Sequence, residues 1–284
     1  MTLITWGVKI MGQNVRVFDE GWRARASGSA LGDSWARAVI ATLDADGGGY
    51  LDILALWFDR FPLTSEKQRW ALKTRLESCT TSDHLGAVNE LSWYEFMRWA
   101  GLQASPIPPA NAPRPDFKVT APAEFFVEVS TLNVSDAERK ERQETGGVDL
   151  NHKETLRRLL RKAAGEKDAQ VAYAASESRP CMLVLFDYTS WSGLATNRYR
   201  FLATALLGEG RAFAQLPVAL SAIVYAERKV FSAGRIAISQ QRSAIYYNPA
   251  ALYPLVVGAF DMLRQFGRDF GEVEPKSQED WVWL

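Results

Sequence analysis

Arg114-Pro-Asp-Phe-Lys-Val-Thr-Ala-Pro-Ala-Glu-Phe-Phe-Val-Glu-Val-Ser130 is the stretch that decides how this chain reads. Phe117-Lys-Val-Thr and Phe125-Phe-Val-Glu-Val-Ser carry the β-branched and aromatic residues of strands, and Ala121-Pro-Ala between them predicts a short turn. Asp116 stands at the start of the first strand. Glu128 lies inside the second, flanked by Phe126, Val127 and Val129. A carboxylate in an apolar strand is costly to desolvate unless a cation or a hydrogen-bond donor meets it. Alternation puts Glu128 and Ser130 on one face and Val127 and Val129 on the other, and the twist of a hairpin brings Asp116 towards Glu128. Two such carboxylates, completed by the backbone carbonyl of Val129, suit Mg²⁺ or Mn²⁺, hard cations that take oxygen ligands. A metal so held lowers the pKa of a water and stabilises charge on a scissile phosphate.

Working outward, the five prolines of residues 102–115 exclude a helix and read as a connector. Before it, helices are predicted over Ser34–Leu43, Leu51–Phe61, Ser65–Glu77 and Glu90–Ala100, and residues 1–30 allow a short strand pair around Val15-Arg-Val-Phe. After it, Val134–Asn151 reads as a loop, Lys153–Ala175 as a helix and Cys181-Met-Leu-Val-Leu-Phe as a buried strand. A helix over Arg198–Leu207, strands over Ala219–Tyr225 and Arg235–Ile238, Ile245-Tyr-Tyr and a helix from about Pro249 complete the reading. Asn248-Pro249 supplies that last helix with an N-cap and a first-turn proline. Strands and helices alternate, so the expected class is α/β or α+β, with a mixed sheet flanked by helices. Two parts are expected, a mainly helical region over 1–86 and an α/β core over 87–284.

Arg114-Pro-Asp-Phe followed by Phe126-Val-Glu-Val-Ser resembles the PD-(D/E)XK, or restriction-endonuclease-like, superfamily. Asn89-Glu-Leu-Ser-Trp-Tyr-Glu-Phe-Met-Arg-Trp is similar to the helix that precedes the Pro-Asp strand in that fold, and the likeness runs over roughly residues 87–260. The resemblance implies a Mg²⁺-dependent endonuclease acting on DNA, or less often RNA, with Glu90 an outer candidate for the metal shell.

The sequence departs from the family where the lysine belongs, two residues after the glutamate: Ser130 stands there. A serine supplies no cation. Lys167 offers a substitute from the following helix, where Leu156, Leu160, Ala163, Val171 and Ala174 mark an apolar stripe and Lys167 falls on it. An inward lysine needs a partner, and Glu128 is the natural one. Gln170, three residues on, is its neighbour on the helix surface, and Lys-x-x-Gln is similar to the pattern on the corresponding family helix. Arg157, Arg158, Arg161 and Lys162 on the same helix form a basic cluster suited to phosphates, tempered by Glu154 and Glu166.

A separate signal lies upstream. Asp44-Ala-Asp-Gly-Gly-Gly-Tyr-Leu-Asp52 resembles a calcium-binding EF-hand loop, but Ala55 stands where the bidentate glutamate should, which argues against Ca²⁺ there. Asn89-Glu-Leu-Ser-Trp-Tyr-Glu95 resembles the end of a second such loop, with His84, Gly86 and Val88 at its early ligand places. His84 and His152, the two histidines, are expected in or near loops and lack the partners of a zinc site. Cys79 and Cys181 lie far apart, so neither a disulfide framework nor a cysteine zinc site is expected.

Composition sets the bounds: 284 residues, 47% hydrophobic, and 33 basic against 33 acidic residues, so nucleic-acid binding must rest on a local patch. No leader and no membrane-spanning run are evident, so a cytoplasmic protein without a membrane partner is expected. Three functions stay open. The chain is a metal-dependent nuclease, a nuclease-fold scaffold silenced at Ser130, or a calcium-responsive, partner-binding helix-loop-helix protein.

Overall fold

The decisive stretch folds as a hairpin in the computed structural model, which describes residues 15–27, 49–78, 80–132, 144, 152–187, 198–208, 212–231, 234–258 and 260–284. Strand β1 (Gln103–Pro106) pairs antiparallel with β2 (Phe117–Ala121), which pairs antiparallel with β3 (Phe125–Leu132). Phe117 lies opposite Val127, so the same register carried one step further sets Asp116 against Glu128. β3 runs parallel to β4 (Cys181–Asp187), and β4 runs parallel to β5 (Ala222–Ala226). Beyond β5 the sheet continues through β8 (Ala244–Tyr247), β9 (Arg264–Gly267) and β10 (Gly271–Val273), in the order β1-β2-β3-β4-β5-β8-β9-β10. The class is α+β with a mixed central sheet, as expected.

Helices cover both faces, because the central strands are apolar on both. One face buries Phe125, Val127, Val129 and Val184 against α2 (Tyr50–Arg60), α3 (Glu66–Leu76) and α4 (Thr81–Trp99). Ser65 caps α3: its hydroxyl accepts from the Gln68 amide at 3.3 Å while Gln68 Oε1 accepts from the Ser65 amide at 3.1 Å. The other face buries Phe126, Leu183 and Leu185 against α5 (His152–Arg161), α6 (Asp168–Ser176) and α7 (Arg198–Leu207). α7 is anchored by the buried Arg198–Asp187 ion pair, whose Asp187 Oδ2 also accepts from the Tyr225 hydroxyl at 2.8 Å. A second, antiparallel sheet, β11-β7-β6, joins β6 (Arg228–Val230), β7 (Ile236–Ser239) and β11 (Trp281–Trp283) and packs Ile236, Ile238 and Val282 into the first core. Gly234, in the β6–β7 turn at φ +69°, lies so close to the Gly49 backbone that an added Cβ would fall 2.1 Å from its carbonyl carbon. No helix among the described residues is long and apolar enough to cross a membrane.

The structure differs from several expectations. Residues 15–19 form no strand and lead into α1 (Glu20–Ser27). The proline-rich connector holds the edge strand β1, where prolines are tolerated because one side of an edge strand makes no ladder bonds. Lys153–Ala175 is not one helix. It breaks into α5 and α6 around a π-helical turn at Lys162–Glu166. The face it buries includes Leu159 beside Ala163, Val171 and Ala174, whereas Leu156 and Leu160 lie at its margin. Pro249 starts turns instead of a helix, and Asn248 bonds the Leu220 carbonyl and the Ala250 amide.

The second EF-hand-like segment is likewise overturned, because Thr81–Trp99 is one continuous helix. His84 therefore lies buried inside α4, not in a loop. The expected boundary at residue 86 falls within the same helix, which packs on β3. The predicted helix Ser34–Leu43, Asp44–Gly48 of the calcium-like loop, most of the loop over 134–151, and Cys79 lie outside the described residues.

Candidate active site

Three elements meet where β2 begins. Pro115 delivers Asp116 to the first position before β2, and its Oδ2 accepts a hydrogen bond from the Val129 amide at 2.7 Å. That bond ties the aspartate to the strand carrying Glu128. Glu128 shares its face of β3 with Phe126 and Leu132, so it points into the layer formed by α5 and α6. It is 2% exposed. Lys167, at the junction between the π turn and α6, reaches in from that layer, and its Nζ lies 2.5 Å from Glu128 Oε1. Glu128 Oε2 is buried and has no hydrogen-bond partner among the described residues.

Glu90 approaches from α4. Both its oxygens are held by the Arg75 guanidinium of α3, the Nη2–Oε2 contact being 2.6 Å. This fork matches carboxylate geometry and fixes the side chain. Its neighbour Asn89 donates to the Thr131 hydroxyl at 2.8 Å, which fastens α4 to β3. Arg75 is the site residue that the sequence reading missed. Its only sequence signal is an arginine near the end of a helix, and its partner stands fifteen residues away.

The electrostatics follow from three carboxylates crowding a poorly solvated place. Burial, then the charges of Glu128 and Glu90, push the Asp116 carboxyl well above the usual value, and the Val129 amide and Lys167 offset only part of this. Burial raises Glu128 as well, against the pull of Lys167. Burial alone would lower Lys167, but Glu128, Asp116 and Glu90 outweigh it and hold the ammonium above its usual value. Formally the group is three carboxylates against Lys167 and Arg75, one negative charge in excess. Burial and mutual repulsion thus favour the protonated form of Asp116 above all, and a further positive charge beside it would favour the ionised form.

A cleft of about 380 Å³ opens onto this group. Arg75, Glu90, Asp116 and Gln170 line it, and the proline-rich segment from Pro106 to Pro115 forms one wall. Asp116 is thus half-buried, while Glu128 and Lys167 stand behind the floor. Arg114 extends at the rim, its guanidinium 5.3 Å from the centre of the Tyr173 ring. Gln170 is in the cleft, in keeping with its place three residues from Lys167.

The basic cluster is arranged differently. Arg157 pairs with Glu154 at 2.6 Å, the buried Arg158 meets the same glutamate at 3.0 Å, and Arg161 and Lys162 both pair with Glu166. The two acidic residues interleaved in the sequence meet all four cations. Glu95 of the calcium-like motif pairs with Arg98.

Among the described residues, no group of three or more His, Cys, Asp and Glu side chains is assembled to hold a metal ion. A site here would rest on two side-chain ligands and backbone. The chain matches no protein-family model, no curated protein and no solved structure.

Proposed function

We propose that this chain is a metal-dependent nuclease of the PD-(D/E)XK type, hydrolysing phosphodiester bonds of nucleic acid, with DNA favoured. The observation that carries the reading is the buried Oε2 of Glu128, beside Asp116 and without a hydrogen-bond partner among the described residues. A purely structural ion pair satisfies both carboxylate oxygens, whereas an orphaned one fits a cation. The order of elements supports it too: a helix bearing Glu90, a hairpin bearing Asp116 and Glu128, a helix bearing Lys167, then the apolar β4.

Asp116, Glu128 and the Val129 carbonyl would hold Mg²⁺ or Mn²⁺. When bound, the ion lowers the pKa of a water and offsets charge on the scissile phosphate. The protein's own groups do the rest. Lys167 holds Glu128 in place and supplies the cation that Ser130 cannot. Gln170, a hydrogen-bonding side chain in the cleft, orients the water or the phosphate. Glu90, fixed by Arg75, adds negative field at the site. The cleft's proline wall limits access to the scissile bond.

Calorimetric titration of Mn²⁺ into the wild type and Asp116→Ala tests the reading. Binding by the wild type that is lost in the variant supports it; a folded wild type that takes up no metal contradicts it. That second result is the one expected of a nuclease fold without catalysis, a reading favoured specifically by Ser130 at the family's lysine place.

A further inference from the structure

The second sheet carries an outward face that the nuclease reading does not use. Val282 is buried in the core, so alternation along β11 turns Trp281 and Trp283 to the opposite side. Trp283 lies opposite Ala237 of β7, and Ala237 lies opposite Lys229 of β6, so one row across the sheet reads Trp283-Ala237-Lys229. Ala237 at the centre of that row is fully buried, so what the row offers to solvent is its two ends, Trp283 and Lys229. Phe231, just beyond β6, adds a third ring, 5.0 Å from Trp281 and 4.8 Å from Trp283 between centroids.

Each ring has a cation set over it. Arg242 stands 4.6 Å from the Trp281 centroid, Arg235 4.6 Å from Trp283, and Lys229 4.8 Å from Phe231. Arg242 is compensated by Glu227 and Asp280. Lys229 and Arg235 are exposed, and neither makes an ion pair among the described residues. Asp52 lines the same shallow depression as Arg235, but it is paired with Arg23 at 2.9 Å. Trp283 is 43% exposed.

We propose that this outer face of the β11-β7-β6 sheet is a stacking platform for single-stranded nucleic acid. The partner must be anionic, because two exposed cations without an ion pair among the described residues repel a cationic ligand and gain nothing from a neutral apolar one. It must also present flat π faces, because indole rings interleaved with guanidinium groups stack well on them. Single strands combine both properties: phosphates for Lys229 and Arg235, unstacked bases for Trp283 and Phe231. A duplex hides its bases and would use only the cations. The platform binds without cleaving, so it stands whether or not the nuclease reading holds.

The test is anisotropy of fluorescein-labelled (dT)20 titrated with full-length Glu128→Ala protein in EDTA, where neither metal nor cleavage contributes. Trp283→Ala is expected to weaken binding about tenfold. Lys229→Ala/Arg235→Ala is expected to flatten the salt dependence of log K by about 1.4, two phosphate contacts' worth. Both variants change exposed side chains, so thermal melts should match the parent. A matched 20-bp duplex should bind more weakly than (dT)20. The proposal is overturned if (dT)20 does not bind, if it binds with the same affinity and salt slope in both variants, or if the duplex binds at least as well. A proline-rich peptide that quenches tryptophan emission where (dT)20 does not would also overturn it, and would make the face a protein-docking site.

Discussion

Lys167 Nζ and Glu128 Oε1 lie 2.5 Å apart, so a candidate metal ligand is held by a cation that comes from a different layer of the fold. Removing the lysine leaves a buried carboxylate behind. Breaking such a pair costs about 3–5 kcal/mol, and the 21% exposure of Lys167 sets the lower end, about 3 kcal/mol, as the expectation for Lys167→Met at neutral pH. Glu128 is already raised, so without Lys167 it takes up a proton readily and the loss shrinks in acid. Urea unfolding at pH 7 and pH 5 checks this; an equal loss at both would contradict it.

Asp116 sets an opposite expectation. Its folded pKa lies well above the usual value of 3.8, so its contribution to stability is fully present below pH 3.8 and is lost as pH rises through the raised folded value. At neutral pH the group therefore opposes folding of the metal-free protein. Asp116→Asn keeps an oxygen to accept from the Val129 amide and removes the charge. It should raise the melting temperature at pH 7 in EDTA by about 2–4 °C for each kcal/mol recovered, and should leave it unchanged below pH 3.8. A lower melting temperature at pH 7 would show that the ionised aspartate stabilises the fold.

Metal uptake competes with protonation of Asp116, whose carboxyl burial holds well above its usual value. Mn²⁺ affinity is therefore expected to rise with pH, by up to about tenfold per unit below the raised pKa, with release of close to one proton. Calorimetry in buffers of different ionisation enthalpy measures that proton. A pH-independent affinity would mean that both carboxylates are ionised before metal arrives.

How much of this was legible in the sequence depends on range. The meeting of Asp116 and Glu128 follows from a hairpin whose turn and alternation are local, and Lys167 followed from its place on an apolar stripe. Arg75 was not readable, because its pairing with Glu90 is set by how α3 packs on α4, which leaves no period in either helix. The π turn at Lys162–Glu166 shifts the inward face between α5 and α6, so a single stripe misplaced Leu156 and Leu160. Trp281 and Trp283 carry no local signal that joins them to Phe231, because fifty residues separate Phe231 from Trp281. The pairing of both β11 and β6 with β7 brings them together.

His84 shows what an isolated histidine did inside this fold. Its Nδ1 lies 2.7 Å from the Leu76 carbonyl, which can only accept, so Nδ1 carries the proton and Nε2 accepts from the Tyr50 hydroxyl at 3.0 Å. Burial lowers its pKa to about 4, with Arg228 adding to the effect and the Leu76 carbonyl opposing it. A depressed folded pKa gives stability that is present above about 6.5 and lost as pH falls to about 4, a difference of about 3 kcal/mol. His84→Gln should remove most of that acid sensitivity, as read by denaturant midpoints between pH 7 and pH 4. An unchanged pH profile would place the sensitivity elsewhere.

Glu90 acts on the site at one remove, through its charge and through Arg75. Glu90→Gln is expected to weaken Mn²⁺ binding about tenfold without unfolding the protein, the usual scale for a group behind the ligands. Asn89→Leu cuts the tether to Thr131 and is expected to cost about 1–3 kcal/mol. Titration and unfolding of the two variants separate the roles: the first should change affinity with little change in stability, and the second should change stability.

The most direct measurement is cleavage of plasmid DNA and single-stranded DNA with Mg²⁺ or Mn²⁺, comparing the wild type with Glu128→Ala. The account predicts metal-dependent cleavage by the wild type that disappears in the variant and in EDTA. A well-folded wild type that cuts neither substrate with either metal, or a Glu128→Ala protein that cuts as well as the wild type, would contradict it.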